Sequence, residues 1–224
     1  MQFPYIPAAV GNPYALPAGT CTGGGVTFPA VINTLAVSSS AGAITIAGPE
    51  GSVQLPATYF LYSAQLGGGP PPNAQPLFLN PGTYTISGDG GTTSPLASLA
   101  VAPFSQDITI PAPLIWTNQS TIDTVVRSRP LDVTWSGGDP NGTVQITAYD
   151  GEGFICNVRT SDQHFTIPAF VLSSFPADPN GQLRMSAQST TPFTITLTAT
   201  DSFTDSTTGV INSIISIGKN VSYQ

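Results

Sequence analysis

The sequence predicts an all-β protein built from antiparallel β-sandwiches. The stretch Leu131–Thr147, LDVTWSGGDPNGTVQIT, alternates apolar and polar residues on both sides of a turn. Such alternation puts one set of side chains on one face of a strand, so the stretch predicts a β-hairpin across GGDPNG. The 23 Gly and 22 Pro of the 224-residue chain place turn signals at short intervals, which leaves room for short strands. No apolar repeat of helical period is long enough for a helix of ordinary length.

Residues 1–25 predict an extended N-terminal arm. Pro4, Pro7, Pro13 and Pro17 exclude helix and central-strand positions, while Phe3, Tyr5, Ile6, Tyr14 and Leu16 supply apolar side chains for docking. Residues 26–113 predict a first sandwich. Its strands are Val31–Ser38, Ala43–Ala47, Ser52–Leu55, Thr58–Leu66, Gly82–Ser87, Leu96–Ala102 and Gln106–Ile110. Short strands in this number, divided by Gly and Pro turns, suit the immunoglobulin-like type. Residues Ala112–Asn118 form the join, where Trp116 is placed to pack between domains. Residues 114–224 predict a second Ig-like sandwich. After the opening hairpin come Gly153–Arg159, Gln163–Ile167, one helical turn in PAFVLSSFP, then Gln182–Gln188, Phe193–Thr200 and Gly209–Tyr223. A second DPNG at Asp178–Gly181 predicts another tight reversal.

The blocks LFLNPGTYTISGDGG, APLIWTNQSTIDTV, VTWSGGDPNGTVQI and FTIPAFVLSSFP resemble a family of uncharacterised secreted acidobacterial proteins with tandem Ig-like domains. The resemblance covers residues 26–224. It implies export and a β-sandwich architecture, and carries no known activity, substrate or disulfide pairing. PGTYTI also resembles the strand-F segment of bacterial Ig-like domains, with Tyr84 in the corner-tyrosine place. The N-terminus has no basic segment before an apolar run. Export therefore implies a signal peptide removed ahead of this numbering and an extracellular or cell-surface location.

Composition narrows the function. Charged residues make up 8% of the chain, and five Lys plus Arg against a net charge of −7 give no footprint for nucleic acid. No apolar run reaches the ~20 residues of a membrane-spanning helix. Cys21 and Cys156 can pair within one chain, pair between chains, or remain separate buried thiols. With one histidine they cannot complete a zinc site. Near His164, Asp162 does not supply a nucleophile–base–orienter geometry, and there is no GxSxG elbow. The two glutamates, Glu50 and Glu152, sit in Gly-flanked turns rather than as a catalytic carboxylate pair. No cofactor is expected, and calcium is the one ionic candidate, at Asp201 and Asp205 in TDSFTDSTTG, with Asp150 and Glu152 in YDGEG as a looser pair. For a glycan platform, Tyr149 is the candidate on the outward parity of its strand, while Trp135 reads as core.

These features predict a non-catalytic extracellular structural protein. It is expected to be a subunit of a surface layer or fibre, self-assembling by donation of its arm to a neighbour's sheet edge. The alternative is a monomeric secreted adhesion or carbohydrate-binding module whose partner is a surface glycan.

Overall fold

The computed structural model describes residues 16–22, 39–55, 57–58, 61–62, 66–67, 76, 78–92, 99–150, 152–199 and 204–224. It is an all-β protein. Its strands are β1 (Thr20–Thr22), β2 (Ser39–Ser40), β3 (Ile44–Gly48), β4 (Gly51–Leu55), β5 (Ala57–Thr58), β6 (Leu61–Tyr62), β7 (Gly82–Gly88), β8 (Leu99–Val101) and β9 (Phe104–Ile110). There follow β10 (Ile115–Trp116), β11 (Thr124–Val125), β12 (Leu131–Ser136), β13 (Thr143–Asp150), β14 (Glu152–Arg159), β15 (His164–Ile167), β16 (Asp178–Ala199) and β17 (Thr204–Tyr223). A single helical turn, α1 (Ala169–Ser173), lies between β15 and β16. Among the described residues no helix is long and apolar enough to cross a membrane.

The chain divides into two compact units. The larger holds Met1–Thr34, Ala112–Ser189 and Asn212–Gln224, and the smaller holds Leu35–Pro111 and Thr190–Ile211. This differs from the single boundary read at 113/114. The segments read separately as Gln182–Gln188 and Phe193–Thr200 form one strand, β16, and β17 is comparably long, so this pair carries residues 190–211 into the smaller unit.

In the larger unit, β1, β14, β13, β16, β17 and β11 are successive neighbours in one sheet, and β10, β12 and β15 form another. Both sheets bury alternate residues in one core. Val133 and Trp135 of β12 enter it from one sheet, and Val144, Ile146, Phe154, Cys156, Leu183 and Met185 from the other. Trp116 belongs to this core and is 5% exposed. The indole N–H of Trp135 is satisfied by the Thr160 carbonyl at 2.9 Å, as a buried donor requires. Helix α1 contributes Val171 and Leu172, and Phe175 follows to pack its ring against Tyr223, tilted by 56° with centroids 4.5 Å apart.

The stretch Leu131–Thr147 is not a hairpin. Strand β12 pairs with β10 and β15, whereas β13 pairs with β14 and β16, so the GGDPNG segment carries the chain from one sheet to the other. Gly137 and Gly138 make this possible, with φ of 75° and 76°. A side chain disfavours that backbone region, and a Cβ on Gly137 would lie 2.1 Å from the Pro113 carbonyl oxygen. The DPNG turn itself forms as read: the Gly142 N–H reaches the Asp139 carbonyl, and the Asn141 N–H reaches Asp139 Oδ1, each at 2.9 Å. The second DPNG makes no reversal. Asn180 N–H still bonds Asp178 Oδ1 at 2.8 Å, but the chain runs on as β16.

In the smaller unit, β4, β3, β7 and β9 form an antiparallel sheet. The Pro49-Glu50 turn joins β3 to β4 between the facing pair Gly48 and Gly51. Residues read as one strand over Thr58–Leu66 instead include a reversal, in which Thr58 of β5 faces Leu61 of β6. Fully buried Tyr84 anchors the unit's core with Ile108 and Ile110. Its hydroxyl accepts the Asn80 N–H at 2.9 Å and lies 2.9 Å from the carbonyls of both Phe78 and Asn80, either of which can take its proton.

Candidate functional site

The feature of chemical interest is the edge where the arm meets the larger unit. Strand β1 lies antiparallel to β14, with Thr20 facing Asn157, Cys21 facing Cys156 and Thr22 facing Ile155. The β-branched threonines on either side of Cys21 suit an extended backbone. Gly19, at φ 81°, turns the chain into the strand, and its N–H donates to the Asn157 carbonyl at 2.7 Å. Thr20 Oγ1 donates back to the Pro17 carbonyl at 2.6 Å and braces that entry.

Cys21 and Cys156 form a disulfide between these facing positions, with Cα atoms 4.0 Å apart and a sequence separation of 135. Both cysteines of the chain are used in it. Cys156 is fully buried in the core, and Cys21 packs against that core while half-buried. The bond thus links the arm to the most protected part of β14.

The opposite face of this edge is also closed. Phe154, Cys156 and Val158 of β14 point into the core, so the intervening Ile155 and Asn157 point away from it. Nevertheless Ile155 is 1% exposed, Asn157 6% and Gln145, which faces Asn157 from β13, 8%. Gln145 Nε2 donates to Asn157 Oδ1 at 3.3 Å, and Asn157 Nδ2 donates to the Leu16 carbonyl at 3.2 Å. The arm is therefore held from two sides of β14, by a covalent bond toward the core and by an amide bridge away from it. Sequence reasoning missed the Gln145–Asn157 pair. Its one signal was two amides at polar positions of strands that flank the cysteine.

Of the arm residues singled out, Leu16 is in place here, while Phe3, Tyr5, Ile6 and Tyr14 lie outside the described residues. Asp201 also lies outside them; Asp205 falls within β17, and its side chain is outside the described part. Among the described residues no three His, Cys, Asp or Glu side chains gather as a metal site. His164 is exposed, and its Nδ1 lies 3.3 Å from the Asp162 backbone carbonyl, so this contact does not involve the Asp162 carboxylate. Glu50 accepts from Asn80 Nδ2 at 3.2 Å at the exposed β3–β4 turn. The Tyr149 side chain is outside the described part.

One titratable group stands out beside the core. Burial, and then the neighbouring Asp178 charge, push the Tyr223 phenol above its ordinary pKa. Its hydroxyl lies 3.4 Å from the Gln182 carbonyl. Comparison with protein-family models, with curated proteins and with solved structures finds no match to this chain.

Proposed function

We propose that the chain is a non-catalytic extracellular structural protein, a subunit of a surface layer or fibre that assembles through its N-terminal arm. The observation that carries this reading is the arm's mode of attachment. Strand addition at a sheet edge, reinforced by a disulfide, is a means of joining two polypeptides as well as of fastening one. Residues 1–15 extend the arm by up to ~50 Å at full stretch and carry Phe3, Tyr5, Ile6 and Tyr14 for docking.

Export is supported by the disulfide, since such bonds persist in oxidising compartments. It is supported too by the resemblance to secreted acidobacterial proteins. The Ig-like character of the two units is supported by the core shared between two sheets in the larger one. In the smaller, the Tyr84 hydroxyl bonds backbone groups upstream in the manner of a tyrosine corner. Calcium remains a proposal for Asp201 and Asp205, tested by a calcium-dependent shift in melting temperature.

The alternative, a monomeric adhesion or glycan-binding module, has one observation in its favour: β1 is seated on β14 of its own chain. Light scattering and negative-stain microscopy of the full chain and of a chain lacking residues 1–25, which removes β1 and Cys21 with the rest of the arm, separate the two. Polymers that disappear with residues 1–25 are the expected result. Monomers in both samples would overturn the assembly reading and make a glycan screen the next step.

A further inference from the structure

We propose that the β1–β14 joint is exchangeable between copies. In this arrangement β1 of one chain occupies the β14 edge of a second, with Cys21 of the first bonded to Cys156 of the second. The inference rests on the arm-assembly reading above and names its acceptor edge and its chemical control.

Two observations carry it. Among the described residues strand β1 is the end strand of its sheet and pairs with β14, so the same three-residue register is available on any copy whose own edge has been vacated. The seat is specific. It combines the buried Cys156, the Gly19 N–H bond to the Asn157 carbonyl and the Asn157 amide bond to the Leu16 carbonyl, and a second copy offers the same partners. Exchange of an identical element between copies is a low-cost route to oligomers.

The covalent step is thiol–disulfide exchange and needs only a thiol, of the glutathione class, acting catalytically. Its thiolate attacks the Sγ of Cys21, the less buried residue of the pair, forms a mixed disulfide with Cys21 and releases the Cys156 thiolate. After the arm moves, the Cys156 thiolate of a second copy attacks Cys21 Sγ and expels the small thiolate unchanged. One disulfide is broken and one formed, with no net oxidation. Reciprocal exchange closes a dimer, whereas one-way exchange propagates a head-to-tail chain.

The test mixes equal amounts of unlabelled and heavy-nitrogen-labelled full-length chain at high concentration under native conditions, with catalytic reduced glutathione. The sample is alkylated and digested, and the disulfide-linked peptide pairs containing Cys21 and Cys156 are weighed. Pairs with one light and one heavy peptide are expected to rise from none to the fraction that random partnering gives. The same pairs should be found in a covalent ladder on a non-reducing gel. Same-label pairs alone, where alkylation shows that the bond has opened, would overturn the proposal. Polymers with only same-label pairs would leave arm assembly standing and remove the exchange. Mixed pairs confined to closed dimers would keep the exchange and remove the fibre.

Discussion

Tyr84 shows how one hydroxyl fixes a loop to a sheet. The phenol accepts the Asn80 N–H and has two carbonyls within reach, and Gly48 leaves room for its ring, since a Cβ there would lie 2.1 Å from Tyr84 Cδ1. Tyr84→Phe strips the hydrogen bonds and keeps the packing. It should cost about 1–3 kcal/mol in denaturant unfolding, the range for leaving a buried polar group unpaired. Tyr223 gives a pH signature. Its folded pKa is raised by burial and by Asp178, whereas an unfolded tyrosine ionises near pH ~10. The folded chain therefore holds a proton that the unfolded chain loses, so the contribution is intact below that pH and is lost as pH rises above it. Thermal melts across the alkaline range should show this loss, and Tyr223→Phe should flatten it. The long 3.4 Å contact to Gln182 makes the cost of that substitution near neutral pH small.

At the level of elements, the tetrapeptide DPNG appears twice and does two things. At Asp139–Gly142 it closes a turn between sheets; at Asp178–Gly181 the same hydrogen bond, from the Asn backbone N–H to the Asp carboxylate, forms at the start of a long strand. The surroundings decide. The first is preceded by two glycines at positive φ, and at the second the Tyr223 ring packs so close to Gly181 that a Cβ would lie 2.6 Å from it. This marks what was legible in the sequence. The faces of β12 and β13 could be read from alternation, because period two reports which side chains are buried together. Their partners could not, because alternation is the same in a hairpin and in a crossing between sheets. The reversal between β5 and β6 was hidden for a related reason, since Thr58–Leu66 reads as one extended run. At the candidate site, the two cysteines were visible as a pair with open alternatives, but their register opposite one another is a property of the folded edge. Gly137→Ala tests the crossing. Its strained φ and the Pro113 carbonyl should together cost more than about 2 kcal/mol, read as a lowered denaturation midpoint.

Across the whole molecule, one bond spans most of the sequence. Replacing both Cys21 and Cys156 by serine should lower stability by about 2–5 kcal/mol in denaturant titration, because the unfolded chain regains the freedom of a long closed loop. Electrostatics contributes little by comparison. With 8% charged residues, and one ion pair among the described residues, Lys219–Asp123 at 2.7 Å, the melting temperature should hardly respond to added salt. A large salt-dependent drop would contradict that. The Cys21–Cys156 bond also changes what a protease can accomplish. A single cut anywhere between those two positions, including in the Gly- and Pro-rich stretch after Gly67, leaves two fragments that still migrate as one molecule and come apart only on reduction. Backbone damage in that span would leave the chain in one piece, where the same nick would dismantle an unbridged chain.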